Sequence, residues 1–264
     1  MGIVNVTPDS FSDGGRYLDC GAAIEHGLAL VAAGADVLDV GGESTRPGHV
    51  PVPAALQIER VAPVVEALAA RVDVPIAVDT TRTEVAAAAL AAGASWINDT
   101  TALAHDEGIA DLAAREGAVL VLMHRFDPPR AAGARPAPGR ALVKLVAEHL
   151  ASSVATATAR GVPRKSLVVD PGVGFGTLHE DSLAMHVFVD ELRSLGLPLL
   201  FGTSRKSFLG HVTGRPVAER GDATAASVAW LAGRRVELLR VHDVAAMRDV
   251  VAVVDALAAQ ERAP

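Results

Sequence analysis

The chain of 264 residues carries 24 Lys and Arg against 31 Asp and Glu, a net charge of −7, and half of its residues are hydrophobic. That balance supplies a sizeable core and no basic face for nucleic acid, and no apolar run reaches the roughly 18 residues of a membrane span. The one cysteine, Cys20, excludes an intrachain disulfide or a zinc spacing and fits a reducing, cytoplasmic setting.

In chain order, MGIVNVTPDSFSDGG has no basic stretch ahead of an apolar one, so no secretory signal is expected. Within it GIVNV (2–6) reads as a strand, and VTPDSFSDGG (6–15) as a turn-rich loop suited to a lid. An amphipathic segment near 20–34 holds Cys20, a small residue near a helix start. DVLDV (36–40) is the second strand, followed at once by GGESTRPG and a helical segment near 53–71. PIAVD closes the third strand at 79, with a helix over 82–93; SWIND (95–99) is the fourth, with a helix over 106–116. AVLVLMH (118–124) is the fifth. The stretch RFDPPRAAGARPAPGR (125–140) follows it, and its prolines and glycines forbid a helix. Helical pattern returns over 140–161. LVVDP (167–171), LLFGTS (199–204) and LLRVHD (238–243) complete the strands, separated by helices near 180–195 and 216–234 and followed by one near 243–260.

The strands are continuous apolar runs, as in parallel sheets covered on both faces. Eight β-then-α units in one order predict a single-domain (β/α)8 barrel of the TIM class over 1–264; a doubly wound open sheet is the alternative. In such a barrel the active site lies at the carboxyl ends of the strands. Those ends carry Asn5, Asp39 with Glu43-Ser44-Thr45-Arg46, Asp79, Asn98 with Asp99, His124, Asp170, Ser204-Arg205-Lys206, and Arg240 with His242. Turn chemistry explains some Asn and Asp, but not Arg46, Lys206, Arg240 and His242 as well.

Arg46, Arg205, Lys206, Arg240 and His242 suit an anion, with phosphate the natural guess. Asn5 reads either as a strand-end hydrogen bonder or as a neutral oxygen for Mg2+, which leans on phosphate oxygens. Asp79, Asn98 and Asp170 can meet the N–H edge of an aminopyrimidine ring, or can be structural partners of arginines. The glycines of DPGVGFG (170–176) allow positive φ and close backbone approach, and Phe175 can cover an aromatic ring. His26, His149 and His186 fall in helical segments as surface or packing residues, whereas His124 ends the fifth strand.

MGIVNVTPDSFSDGG, DVGGESTRPG, PIAVDT, IND, LMH, DPGVGFG, SRKSFLG and RVHDV, spread from residue 1 to about 245, together resemble the dihydropteroate synthase family. The resemblance implies condensation of 6-hydroxymethyl-7,8-dihydropterin diphosphate with p-aminobenzoate, giving 7,8-dihydropteroate and diphosphate. By motif it implies that Asp79, Asn98, Asp170 and Lys206 hold the pterin. Arg240 and His242, with Asn5 and Mg2+, would hold the diphosphate. Thr45, Arg46, Pro47, Phe175 and Ser204 would shape the p-aminobenzoate side, and Gly174 and Met123 belong to the substrate-binding motifs. It further implies a homodimer, inhibition by sulfonamides, and a dissociative substitution in which diphosphate leaves first.

The chain departs from the family pattern at Thr177, where a lysine is usual, at the loop Thr100-Thr101-Ala102-Leu103, at Arg125 in place of a methionine, and in starting directly at strand one. These departures keep open a pterin-binding paralogue with little or no turnover. A corrinoid-dependent methyltransferase of related fold is disfavoured by ESTRPG and SRKSFLG.

Overall fold

The computed structural model describes residues 1–6, 16–43 and 51–261, which form two compact units: residues 1–122 with 156–167, and residues 123–155 with 168–264. In the first, strands β1 (Gly2–Asn5), β2 (Leu38–Gly41), β3 (Ile76–Asp79), β4 (Trp96–Asp99) and β5 (Val119–Met123) as far as Leu122 pair in parallel, in sequence order. Their middles are apolar and fully buried, with Val4, Leu38, Val40, Val78, Ile97 and Leu120 all at 0% exposure. Helices α1 (Arg16–Ala32), α2 (Ala54–Ala69), α3 (Thr83–Ala91) and α4 (Gly108–Glu116) return the chain between them. Each of these helices packs on the next in order. Helix α4 stops where Gly117 takes a left-handed φ of 68°, the usual glycine C′ device.

The second unit holds most of α5 (Arg140–Ala159), together with β6 (Leu167–Asp170) from Val168 onward, β7 (Leu200–Phe201) and β8 (Leu238–Leu239). Val169 bridges Leu199 in parallel, and β7 pairs with β8 in parallel. Just beyond β5, the His124 N–H donates to the Asp170 carbonyl at 2.9 Å. Helices α6 (His179–Val187), α7 (Val189–Arg193), α8 (Ser207–Thr213), α9 (Gly221–Gly233) and α10 (Val244–Glu261) cover this unit.

All eight expected strands form where the apolar runs place them. The helical segment expected over 180–195 is two helices, because Phe188 leaves helical geometry at φ −103°, ψ 39°. Helix α8 was not expected, and the segment expected from 216 opens with a short 3-10 turn before α9 begins at Gly221. Residues 125–139 form no helix, as their prolines dictate.

Candidate active site

In the first unit the strand register lines up the carboxyl ends. Asn5 pairs with Gly41, Gly41 with Asp79, and Asp79 with Asn98. Paired residues of parallel strands project to the same face, so an amide, a carboxylate and a second amide form one row. Gly41 has no side chain, and the Asp79 side chain lies against it: a Cβ there would stand 3.5 Å from the Asp79 Cβ and 3.8 Å from its Oδ2. Asn5 is exposed, Asp79 half-buried and Asn98 buried.

On the same face, two residues before Gly41, lies Asp39, fully buried, whose Oδ2 accepts the Asn98 Nδ2–H at 3.1 Å. This bond fixes which way the Asn98 amide faces, with its Nδ2 committed to Asp39 and its carbonyl oxygen an acceptor on the other side of the amide. Asp39 stood among the strand-end residues in the sequence; its place as the orienting partner of Asn98 depends on pairing 59 residues apart.

Asp99 turns the other way and organises its own loop. Its carboxylate accepts from the Thr101 N–H at 2.9 Å, the Thr101 hydroxyl at 2.7 Å and the Leu103 N–H at 2.6 Å. Burial pushes its carboxyl above the ordinary range, and these donors oppose that. The bonds hold Ala102 and Leu103 at φ 48° and 72°, a region costly for side chains bearing Cβ. Glu43 also serves its loop: it accepts the Val52 N–H and the Gln57 amide, each at 2.9 Å. Thr45, Arg46 and Pro47, and the loop over 7–15, lie outside the described residues.

In the second unit Asp170, 4% exposed, accepts the Gly172 N–H at 2.7 Å. A Cβ on Gly172, whose φ is 74°, would stand 1.7 Å from the His124 carbonyl oxygen, so the close approach that demands glycine here is to protein backbone. Gly174 instead faces Lys206: a Cβ there would stand 3.0 Å from the lysine Cδ. The Lys206 ammonium lies 4.0 Å from the centre of the Phe175 ring, a cation–π contact. Thr177 closes this glycine loop, accepting the Gly174 N–H and pairing with the Ser182 hydroxyl, both at 3.0 Å.

The loop after β5 is stitched to the glycine loop. Phe126 N–H donates to the Phe175 carbonyl at 3.2 Å, and Arg130 N–H to the Gly176 carbonyl at 2.8 Å. The Arg130 guanidinium meets Asp181 at 2.8 Å, with side chains only 6% and 0% exposed. Asp181 also caps α6 by accepting the Leu178 N–H at 2.8 Å. Sequence reading missed this pair; an arginine inside a proline-rich loop was the available signal.

Met123, at the end of β5, is buried. Its neighbour His124 is 6% exposed, with an Nε2 that has no hydrogen-bond partner among the described residues. Burial, helped by His149 alongside, pulls the His124 pKa down to about 4, so the ring is neutral near pH 7. His186 is likewise drawn down to about 4 by burial. Its Nδ1 lies 2.7 Å from the Ser182 carbonyl, which makes that nitrogen the donor, and its Nε2 meets the Ser227 hydroxyl at 2.9 Å. Ser204 and His242 are joined, His242 Nδ1 to the serine hydroxyl at 2.9 Å. Arg240 and His242, both half-buried, follow β8 directly, with the Arg240 N–H held on the Phe201 carbonyl at 3.0 Å.

The first unit therefore offers amide and carboxylate groups in register, suited to a hydrogen-bonding ring. The second offers a carboxylate, three cationic or cation-forming side chains and an aromatic ring. Among the described residues no three His, Cys, Asp or Glu gather to hold a metal, and no helix among them is long and apolar enough to cross a membrane.

A family model described as pterin binding enzyme matches residues 1–242. The chain is 40% identical, over 97% of its length and 94% of the relative's, to the dihydropteroate synthase of Streptococcus pyogenes serotype M6. It is 44% identical, over 99% of its length, to a probable bifunctional folylpolyglutamate synthase/dihydropteroate synthase of Haloferax volcanii, of which it spans 30%. Among solved structures, Xanthomonas albilineans dihydropteroate synthase with 4-aminobenzoic acid matches at a TM-score of 0.90 and 42% identity, covering 100% of this chain and 93% of that one. With that neighbour aligned over the whole chain at 42% identity, the expected fold class, the (β/α)8 barrel, holds.

Proposed function

The chain belongs to the pterin-binding enzyme family, and we propose that it is a transferase that condenses 6-hydroxymethyl-7,8-dihydropterin diphosphate with p-aminobenzoate, yielding 7,8-dihydropteroate and diphosphate. The observation that carries this reading is the row Asn5, Gly41, Asp79 and Asn98 in register, with Asn98 oriented by Asp39. Within that row Asp79 offers acceptors and Asn98 a donor and an acceptor, which suits an aminopyrimidine edge, while Asn5 lies at the end given to the diphosphate. The dihydropteroate synthases it resembles at about 40% identity support the same chemistry.

In this proposal Asp79, Asn98, Asp170 and Lys206 hold the pterin. Arg240 and His242 bind the diphosphate and stabilise the charge that grows on it as its bond to the pterin methylene breaks. The Asp170 carboxylate favours the cationic pterin left behind. Thr45, Arg46, Pro47, Phe175 and Ser204, with Gly174 and Met123, receive p-aminobenzoate, whose amine attacks the methylene carbon and then loses a proton. Loops that exclude water keep the cation from being captured before the amine arrives.

Mg2+ is part of the proposal. Asn5, exposed at the end of β1 and next to the Asp79 row, offers one neutral oxygen, which fits an ion held largely by phosphate oxygens and water. Held there, the ion would supply neutralisation of the charge on the diphosphate. The whole chain is taken as one pterin-binding domain in a cytoplasmic setting. A homodimer belongs to the same reading, supported by the exposed Trp230 of α9 and Val253 and Leu257 of α10. The test is stoichiometry: one diphosphate released for each dihydropteroate formed, with both substrates required. Repeated turnover of diphosphate release without p-aminobenzoate, beyond one equivalent per chain, would mark a hydrolase and sink the reading.

A further inference from the structure

We propose that Arg220 and Thr224, at the start of α9, are positioning residues that hold the Ser204-Arg205-Lys206 turn in a strained shape and thereby fix where the Lys206 ammonium stands. The proposal rests on the part given to Lys206 above. Arg205 has φ 58°, in the left-handed region that penalises any residue with a Cβ. Such strain persists only where the surroundings over-determine it, and here both backbone polar groups of Arg205 are held from α9. Its N–H donates to the Thr224 hydroxyl at 3.1 Å, and its carbonyl accepts from Arg220 Nη1 at 3.0 Å. The same Nη1 reaches the Lys206 carbonyl at 3.3 Å, and Nε donates to the Arg215 carbonyl at 3.1 Å.

The clamp is itself seated. Gly210 lies within the seven-residue helix α8, where glycine is unfavourable. A Cβ at Gly210 would stand 2.3 Å from Arg220 Nη2 and 2.5 Å from Cζ, so the guanidinium rests directly on the α8 backbone. Thr224, 3% exposed, donates its hydroxyl to the Arg220 carbonyl at 2.7 Å. The preceding residues are fixed too: Thr203 to Ser227 at 2.6 Å, and Ser204 to His242 at 2.9 Å. Arg220 reaches Lys206 through its carbonyl, so it acts on the lysine through the backbone while the ammonium lies over Phe175.

A plain helix-capping role for Arg220 is separated from this one by Arg205→Gly, because glycine takes positive φ without penalty and removes the need for a clamp. Arg220→Ala is expected to lower kcat/KM about tenfold in the native background and less than threefold in the Arg205→Gly background. The melting temperature is expected to fall similarly in both. Thr224→Val, which keeps the shape and deletes the hydroxyl, is expected to follow the same split and stands in if Arg220→Ala does not fold.

Equal losses in the two backgrounds, or unchanged kcat/KM with a lowered melting temperature, would overturn the proposal. A readout independent of turnover keeps it separate from the functional reading. With only Lys144, Lys165 and Lys206 in the chain, 15N-lysine labelling gives a three-signal amide spectrum. The Lys206 amide should shift or broaden in Arg220→Ala and return in the double variant. A wild-type protein that makes no dihydropteroate, yet shows this pattern, would defeat the functional reading and leave the clamp standing.

Discussion

Replacing Lys206 by alanine separates binding chemistry from stability. Its stem lies against Gly174 and its ammonium 4.0 Å from the Phe175 ring centre, while the side chain stays half-exposed. Losing the cation–π contact costs ~0.5–1 kcal/mol, and uncovering part of the stem about 1 kcal/mol more. The sum, about 2 kcal/mol, lowers the melting temperature of a chain this size by roughly 4–8 °C and leaves it folded at 25 °C. The loss in catalysis is larger. A charge-assisted hydrogen bond to the reacting ligand is worth up to about 3 kcal/mol, so kcat/KM should fall about a hundredfold. Steady-state diphosphate release and calorimetric melting, measured on the same preparation, give both numbers. A variant within about threefold of wild-type kcat/KM would refute the place given to Lys206, whatever its melting temperature.

Asp39→Ala strips the buried acceptor from Asn98 and should cost about 1–3 kcal/mol of stability. It should also weaken pterin binding about tenfold in titration calorimetry; unchanged affinity would contradict the orienting role. Gly172→Ala should give no soluble folded protein, since its Cβ meets a carbonyl oxygen at 1.7 Å. Gly117→Ala, at φ 68° with open space around it, should cost only about 1 kcal/mol; comparable expression and melting of the two would refute the steric argument.

His124 and His186 have folded pKa values near 4, below the ordinary 6.5. The unfolded chain therefore takes up their protons first as pH falls. Stability is full above about 6.5 and is lost towards pH 4, by at most about 3 kcal/mol for each histidine. Urea midpoints at pH 7, 5.5 and 4.5 check this, and a flat profile would contradict it.

The strands were legible because each is a short, unbroken apolar run that ends in a polar residue. That held even for β7 and β8, which are only two residues long. The break at Phe188 was not legible, since it depends on a backbone angle inside a helical pattern. Helix α8 is too short to show a period, and Gly210 argues against a helix locally. Only the guanidinium of Arg220, ten residues away in sequence, accounts for that glycine.

The candidate site divides the same way. Residues at strand ends, such as Asn5, Asp79, Asn98, Asp170 and Lys206, announce themselves by interrupting apolar runs. The long-range partners that orient Asn98 and brace the surrounding loops and helices do not. Asp39 reaches Asn98 across 59 residues, Arg130 reaches Asp181 across 51, and His186 reaches Ser227 across 41. No local pattern carries a contact over such distances. Thr177 was read as a departure from the family pattern, and the structure shows it closing the glycine loop through its hydroxyl.

The most direct test of the central claim is product formation. Purified protein, the dihydropterin diphosphate, p-aminobenzoate and Mg2+ are combined, and 7,8-dihydropteroate is followed by mass spectrometry with and without EDTA. The account predicts steady formation of dihydropteroate that stops when the metal is chelated. Absence of product, with the pterin still bound in calorimetry, would contradict it and leave a pterin-binding protein without synthase activity.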